Sequence, residues 1–322
     1  MRGATESPAS VPEAAEEDYD VSMSARLLAV FFLLLCQACT HLTPGAGAHV
    51  FQFDDGGNAR YFVLDKRPAR DAAPSTFLFM IPGSDCGSML GVLPGYFDGL
   101  TGGPGGMRIF VLHKRFTGAD ADGECSADFV RADHPQRWLA DQEAFIRTEL
   151  AAARDGGHAP ARVVIAGSSE GAEIAPLLAR RIPGVTHVVL LANGGMDPID
   201  AFRLQMQREG TPHAPQELAR QCRAGTADTI VLGRTCRYWR ELQAIRHTDN
   251  LLALDIPVFI AMGEADAMVP VESALYIRDR FAARGKTNLQ LLILPGAGHD
   301  FRREAGSVLP YLWERIDEWL QK

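Results

Sequence analysis

Residues 163–175, V-V-I-A-G-S-S-E-G-A-E-I-A, constrain this chain more than any other stretch. Four apolar residues lead into Gly167-Ser168-Ser169-Glu170-Gly171, and an amphipathic segment follows. The pattern reads as a strand, a sharp turn and a helix, with Ser169 at the apex. So tight a turn forces the serine into a strained backbone conformation. The residues two before and two after it must then be nearly free of side chain. The strain lifts the Ser169 hydroxyl clear of the sheet. The helix start beneath it points N–H groups at any anion that develops there. A glycine-rich turn after a strand is often only a turn, so the surroundings decide whether this serine is a nucleophile.

Those surroundings repeat one rhythm. Val50 to Phe53 and Arg60 to Leu64 read as two short strands joined by the turn residues Asp54 to Asn58. Thr76 to Ile81 is a continuous apolar run, as expected of a strand buried on both faces, and Arg108 to His113 is another. Between them, residues 89–100 read as a short helix broken at Pro94-Gly95. Gln136 to Arg154 is an amphipathic helix closed by Asp155-Gly156-Gly157. The helix after Ser169 runs to Arg181, and Thr186 to Leu191 is the next strand. Pro257 to Met262, Val271 to Arg284, Leu289 to Leu294 and Val308 to Gln321 then alternate strand and helix. Helix-length crossovers between apolar strands predict an α/β fold, a mostly parallel central sheet with helices on both faces. The leading hairpin supplies an antiparallel edge. Residues 197–254 interrupt the rhythm with polar helical sequence and read as a helical cap inserted between two strands.

In such a sheet the site lies at the carboxyl ends of the strands. A serine nucleophile needs a base for its proton, an acid to orient that base, and two N–H groups for the oxyanion. After the strand ending at Met262 comes G-E-A-D-A-M-V-P, residues 263–270, which offers Asp266, with Glu264 as its competitor. After the strand ending at Leu294 comes P-G-A-G-H-D-F, residues 295–301. There His299 sits among small residues that give an imidazole room to swing. Asp266 is also the kind of residue that caps a helix, and a lone loop histidine is usually only solvated. Both fall where Ser169 needs them, which makes Ser169, Asp266 and His299 the candidate triad. The candidate oxyanion donors are the backbone N–H groups of Glu170, directly after the serine, and of Ser84, in the loop after Ile81, with Asp85 next in that loop.

These residues resemble the α/β-hydrolase superfamily over roughly residues 50–320, through Gly167 to Gly171, Gly263 to Pro270 and Gly298-His299. The resemblance implies the fold and the triad that strand-end placement suggests independently. The chain departs from it in having Pro82-Gly83 where His-Gly often precedes the oxyanion residue, and a carboxylate, Glu170, beside the nucleophile. Glu170 reads either as a solvated first-turn acid favoured by the helix dipole or as a charge that tunes His299 or repels anionic substrates.

The N-terminal region is read separately. Residues 1–22 carry six acids and one arginine and read as a disordered leader. Residues 23–39 combine a short basic start, the apolar run Leu27 to Leu35, and Ala38-Cys39. That is a signal peptide pattern, too short to span a bilayer comfortably. Ala38-Cys39 resembles the bacterial lipobox, which makes Cys39 a candidate for lipidation. The expected location is exported, either periplasmic or anchored to a membrane as a lipoprotein, with secretion as the alternative. Export places Cys86, Cys125, Cys222 and Cys236 in an oxidising compartment, where four cysteines allow three pairings. Proximity favours Cys222 with Cys236 and leaves Cys86 with Cys125.

Residues 40–322 are then the hydrolase domain. The whole chain has a formal charge of −8, but with residues 1–22 set aside 34 acids face 31 bases. This nearly neutral body shows no basic footprint for nucleic acid. The acidic loop Asp120 to Glu124 lacks the downstream Glu of a calcium loop and reads as a solvated turn. The expected function is cleavage of a small-molecule ester or related acyl bond through an acyl-enzyme on Ser169, needing no cofactor or metal. Alternatives are a peptidase or acyltransferase on the same triad, or a non-catalytic envelope protein keeping the fold. Tyr238 and Trp239 of the cap are candidate substrate-pocket residues.

Overall fold

The computed structural model describes residues 48–66, 73–118 and 125–322. The leader, the signal segment with Cys39, most of the linker at 42–48, and all of the acidic loop 120–124 lie outside the described residues. Eight strands form one sheet: β1 (Ala48–Gln52), β2 (Asn58–Lys66), β3 (Thr76–Ile81), β4 (Met107–Leu112), β5 (Arg162–Ser168), β6 (His187–Leu191), β7 (Val258–Gly263) and β8 (Leu289–Leu294). Their spatial order is β1-β2-β4-β3-β5-β6-β7-β8. β2 pairs antiparallel with both β1 and β4, and every pairing from β4 to β8 is parallel. The expected parallel sheet with an antiparallel hairpin edge is therefore what forms.

Side-chain alternation along the strands divides the apolar residues between two cores. Phe77, Phe79 and Ile81 of β3, with Val163 and Ile165 of β5, face one side. There they meet Trp138, Phe145 and Ile146 of α2 (Pro135–Asp155), Ile174 and Leu178 of α3 (Glu170–Arg181), and Ile277 and Phe281 of α8 (Glu272–Ala283). Leu78 and Met80 of β3, with Val164 and Ala166 of β5, face the other side. They pack on Leu93 and Phe97 and on Leu312, Trp313 and Ile316 of α9 (Leu309–Leu320). The central strands are buried on both faces, so they read as unbroken apolar runs. Each fully buried Leu, Ile or Phe contributes roughly 1.5–3 kcal/mol by leaving water.

One local expectation is reversed. Pro94 does not break a helix but stands in the first turn of a short one, Leu93–Tyr96. The first turn is where a residue without an N–H is tolerated, because that donor has no intrahelical acceptor.

Between β6 and β7 the chain forms α4 (Pro198–Arg208), α5 (Ala214–Ala224), a two-residue-per-strand hairpin (Ile230–Val231 with Arg234–Thr235), α6 (Cys236–Gln243) and α7 (His247–Leu252). This helical segment has a small core of its own, with Leu218, Cys222, Val231 and Cys236 buried and Phe202 and Trp239 packed against them. It docks on the start of α2, before which lies the short α1 (Ala127–Ala132). Glu241 accepts from Gln136 N at 2.9 Å and faces His134 Nδ1 at 2.8 Å. Disulfides join Cys86 to Cys125 and Cys222 to Cys236, the pairing that proximity favours. Among the described residues no helix is long and apolar enough to cross a membrane.

Candidate active site

Ser169 stands between β5 and α3 with φ 53° and ψ −120°. A serine at positive φ costs on the order of 1–3 kcal/mol and is held only by what surrounds it. Here that is close backbone packing. A β-carbon on Gly167 would meet Gly171 O at 2.4 Å, and one on Gly171 would meet the carbonyl oxygens of Ile81 and Pro82 at 2.3 Å. The glycines two residues either side of Ser169 are thus demanded by space. Ser169 N donates to Leu191 O at 2.7 Å, tying the turn to the end of β6.

Asp266 follows β7 and is almost fully buried. Its Oδ1 accepts from Met268 N and Val269 N, both at 2.8 Å, while Oδ2 lies 2.8 Å from His299 Nδ1. A carboxylate with three such partners has one orientation open to it. His299 Nε2 lies 3.0 Å from Ser169 Oγ. The loops carrying Asp266 and His299 are stitched together, with Glu264 N donating to Leu294 O and Ala265 N to Ala297 O. Glu264, the competitor, turns away and accepts from Gly296 N at 3.1 Å. The three chain-distant residues therefore form one relay: an imidazole oriented by a buried carboxylate, within hydrogen-bond reach of a hydroxyl.

The relay opens on a cleft of about 810 Å³ lined by Gly83, Ser84, Ser169 and His299, with Val92, Tyr96, Met268, Phe301 and Leu309 as its apolar wall. Asp85, Asp300 and Arg302 supply polar lining. Neither the N–H of Ser84 nor that of Glu170 has an acceptor among the described residues. Glu170 opens α3, where an N–H has no intrahelical partner. Gly83 packs on Ser169, since a β-carbon there would lie 3.4 Å from Ser169 Cβ.

Tyr238 and Trp239, expected in the substrate pocket, are not among the residues lining this cleft. Trp239 packs near Phe202 in the core of the helical segment, and its Nε1 donates to Val231 O at 2.8 Å. Tyr238 is buried, and its hydroxyl donates to Glu170 Oε2 at 3.1 Å. An amphipathic aromatic pattern marks a buried face but does not say what that face buries against.

Glu170 is not a solvated first-turn acid. It is buried and ion-paired to Lys114 Nζ at 2.9 Å. Lys114 Nζ also lies 2.8 Å from Asp133 Oδ1 and 4.0 Å from the centre of the Trp138 ring. Arg234, from the hairpin of the helical segment, pairs with Asp133 Oδ2 through Nη1. Its Nη2 donates to Ser84 O at 2.5 Å. Burial, and then the Glu170 charge, push the Tyr238 phenol well up, so it stays protonated and donates. Burial pushes the Asp133 carboxyl up, opposed by Lys114. One turn along α3, burial and then the neighbouring Glu170 charge push Glu173 well above the ordinary carboxyl range. Lys114 had a sequence signal that went unread: it lies just beyond the end of β4, the kind of position that picked out Asp266 and His299. Arg234 had none, because its neighbours in sequence form only a small hairpin.

The sheet order, the strained serine turn and the relay together define a serine hydrolase of the α/β-hydrolase superfamily. The chain belongs to the prolyl oligopeptidase family, whose sequence pattern it matches over residues 109–322. No curated protein sequence matches it. Solved structures similar to it include Est1E from Butyrivibrio proteoclasticus, with a TM-score of 0.56 at 17% identity, covering 85% of this chain and 98% of that one. A soluble variant of monoglyceride lipase from Saccharomyces cerevisiae gives 0.57 at 15% identity, covering 88% and 96%. The Pyrococcus horikoshii acylaminoacyl peptidase gives 0.56 at 12% identity, covering 89% of this chain but 43% of that one. At these identities the likeness is one of fold.

Proposed function

We propose that the protein hydrolyses an ester or related acyl bond of a small molecule through an acyl-enzyme on Ser169. The observation that carries this reading is the relay at the floor of an open cleft: 2.8 Å from Asp266 to His299 and 3.0 Å from His299 to Ser169. His299 Nε2 takes the Ser169 proton as Oγ attacks the acyl carbon. The tetrahedral oxyanion collects on the N–H groups of Glu170 and Ser84. His299 then protonates the leaving group, and a water activated by the same imidazole releases the acid. Asp266 holds the tautomer with the proton on Nδ1. The mostly apolar wall of the cleft, with Val92, Met268 and Leu309, favours an uncharged acyl or alcohol group over a strongly charged one.

Membership of the prolyl oligopeptidase family supports a second reading, an exopeptidase or amidase on the same triad. Two p-nitrophenyl ester series of graded acyl length, run beside aminoacyl p-nitroanilides, separate the two. The first reading expects kcat/KM to be higher for esters by well over the intrinsic reactivity difference. Equal or better turnover of the anilides overturns it in favour of the peptidase.

We also propose export, with Cys39 lipidated or the chain secreted. Two disulfides in a chain of this size are in keeping with an oxidising compartment. Intact-mass measurement of the mature N-terminus in its native cell tests this, and an unprocessed cytosolic chain would rule it out.

A further inference from the structure

The two candidate oxyanion donors stand at the two ends of one buried chain of charges. At one end Glu170, whose N–H is the first donor, is paired to Lys114. Lys114 is paired to Asp133, and Asp133 to Arg234. At the other end Arg234 donates to the carbonyl of Ser84, whose N–H is the second donor. Lys114 and Asp133 are almost wholly buried, and Arg234 is 17% exposed. Two cations face two anions, so the cluster is neutral as a whole. Its four members come from just beyond the end of β4, from the C-cap of α1, from the first turn of α3 and from the hairpin between α5 and α6.

Two physical needs meet here. First, the loop carrying Ser84 has no regular structure from Pro82 until the turn at Met89, and it contains Gly83 and Gly87. Its disulfide and its bond from Gly118 N act at Cys86, two residues beyond Ser84, and no strand or helix ladder holds Ser84 itself. Yet donors act on an oxyanion only when fixed beforehand at about 2.7–3.1 Å from it. Second, a carboxylate on the residue after the nucleophile would oppose the negative charge of the tetrahedral intermediate. Lys114 and the Tyr238 hydroxyl compensate it.

We infer that this buried chain is a brace that fixes the spacing of the oxyanion hole, with Arg234 and Lys114 as positioning residues for the acyl-transfer step. The helical segment between β6 and β7 then contributes to the reaction itself through Arg234, besides whatever it does for substrate fit. The inference rests on the hydrolase reading and on Glu170 and Ser84 as the donors. Tyr238 belongs to the same device, holding the second oxygen of Glu170.

The test uses the full chain carrying Arg234→Met or Arg234→Lys, each beside the unsubstituted protein. Three quantities are compared: kcat/KM on p-nitrophenyl acetate, inhibition by an aryl trifluoromethyl ketone, and inhibition by the matching methyl ketone. The trifluoromethyl ketone forms a hemiketal oxyanion on Ser169, whereas the methyl ketone binds only as a ground-state ligand. With Arg234→Met, kcat/KM and the trifluoromethyl ketone affinity should fall together by about 10–100-fold, the scale expected when a donor is misplaced. The methyl ketone affinity should stay within about twofold, the scale on which no oxyanion contact is lost. Arg234→Lys keeps the buried charge but cannot span Asp133 and Ser84 together, and it should lie between. It also serves where Arg234→Met gives no folded protein, with a parallel loss in the first two quantities expected and an unchanged profile contradicting the brace. Unchanged kcat/KM and trifluoromethyl ketone affinity overturn the inference, as does an equal loss for both ketones, which is what a merely structural role would give. Failure of the unsubstituted protein to react with a fluorophosphonate would instead sink the hydrolase reading.

Discussion

The carbonyl oxygen of Ile81 lies 2.3 Å from where a β-carbon on Gly171 would stand. The end of β3 is therefore pressed against the first turn of α3, and the loop that follows Ile81 is carried directly over Ser169. The same contact brings the loop that bears Ser84 close to the first turn of α3, which Glu170 opens. Nothing larger than a hydrogen fits on Gly171 without moving the end of β3 away from α3.

Gly171→Ala should consequently be costly twice over. The added methyl meets backbone atoms on both Ile81 and Pro82, neither of which is the flexible end of a side chain. Overpacking of this kind destabilises by about 1–3 kcal/mol. Displacement of the donors by about 1 Å should lower kcat on an aryl ester by roughly 10²-fold. Thermal unfolding and steady-state kinetics on the same preparation check both effects, and retention of full activity would contradict the tight apposition described above.

Asp266→Asn isolates the role of the carboxylate. Asn can still accept from Met268 N and Val269 N, so the loop after β7 should keep its shape. Its amide nitrogen, however, would donate toward His299 Nδ1, leaving Nε2 protonated and unable to accept from Ser169. A fall in kcat on the order of 10³–10⁴-fold with little change in thermal midpoint is expected. A fall of less than about tenfold, well short of that scale, would mean that another group orients the imidazole.

What the sequence alone disclosed follows from how each part of the site is built. Ser169, Asp266 and His299 were legible because each follows the end of an apolar strand, and strand ends converge in a parallel sheet. The glycines two residues either side of Ser169 were legible because so tight a turn leaves no room for a β-carbon at either position. Glu170 was ambiguous, since its meaning depends on Lys114, Asp133 and Arg234, each far from it along the chain. Long-range pairing of side chains leaves no periodicity to read. Tyr238 and Trp239 looked like pocket residues because apolar positions in a helical insertion mark burial without marking direction. The cleft wall instead comes from loops after β3, β7 and β8, where Val92, Met268 and Phe301 showed no pattern.

The Cys86–Cys125 disulfide joins residues 39 apart, and Cys86 follows directly on Ser84-Asp85. Its removal by Cys125→Ser should lower stability by about 2–4 kcal/mol through the larger conformational freedom of the unfolded chain. Because Cys86 O also accepts from Gly118 N at 2.9 Å and Arg234 still donates to Ser84 O, the loop after β3 keeps two tethers when the disulfide is gone. Activity on a short aryl ester should therefore fall less steeply than stability. Urea unfolding of the two proteins measures the first quantity, and an unchanged midpoint would show that the bridge is idle.

Acid should destabilise the fold through two buried histidines. Burial lowers His113 to about 4 and His247 to about 4, against 6.5 for an ordinary imidazole. The unfolded chain takes up these protons near 6.5 and the folded chain only near 4, so the unfolded state binds more protons in that window. Stability is full above 6.5 and falls as pH drops toward 4. Thermal midpoints recorded across this range should decline, and His247→Leu, which carries no titrating proton, should make the decline shallower. A flat profile between pH 7 and 4.5, the range in which ordinary histidines charge, would contradict the burial of both rings.

The central claim, that Ser169 is a nucleophile activated by His299 and Asp266, is tested most directly by labelling. The protein is treated with a fluorophosphonate probe, digested and sequenced by tandem mass spectrometry. One phosphonyl group should appear on Ser169, with no labelling after Ser169→Ala and strongly slowed labelling after His299→Ala. An unlabelled protein, or a phosphonyl group on Ser168 or another serine with Ser169 unmodified, would contradict it.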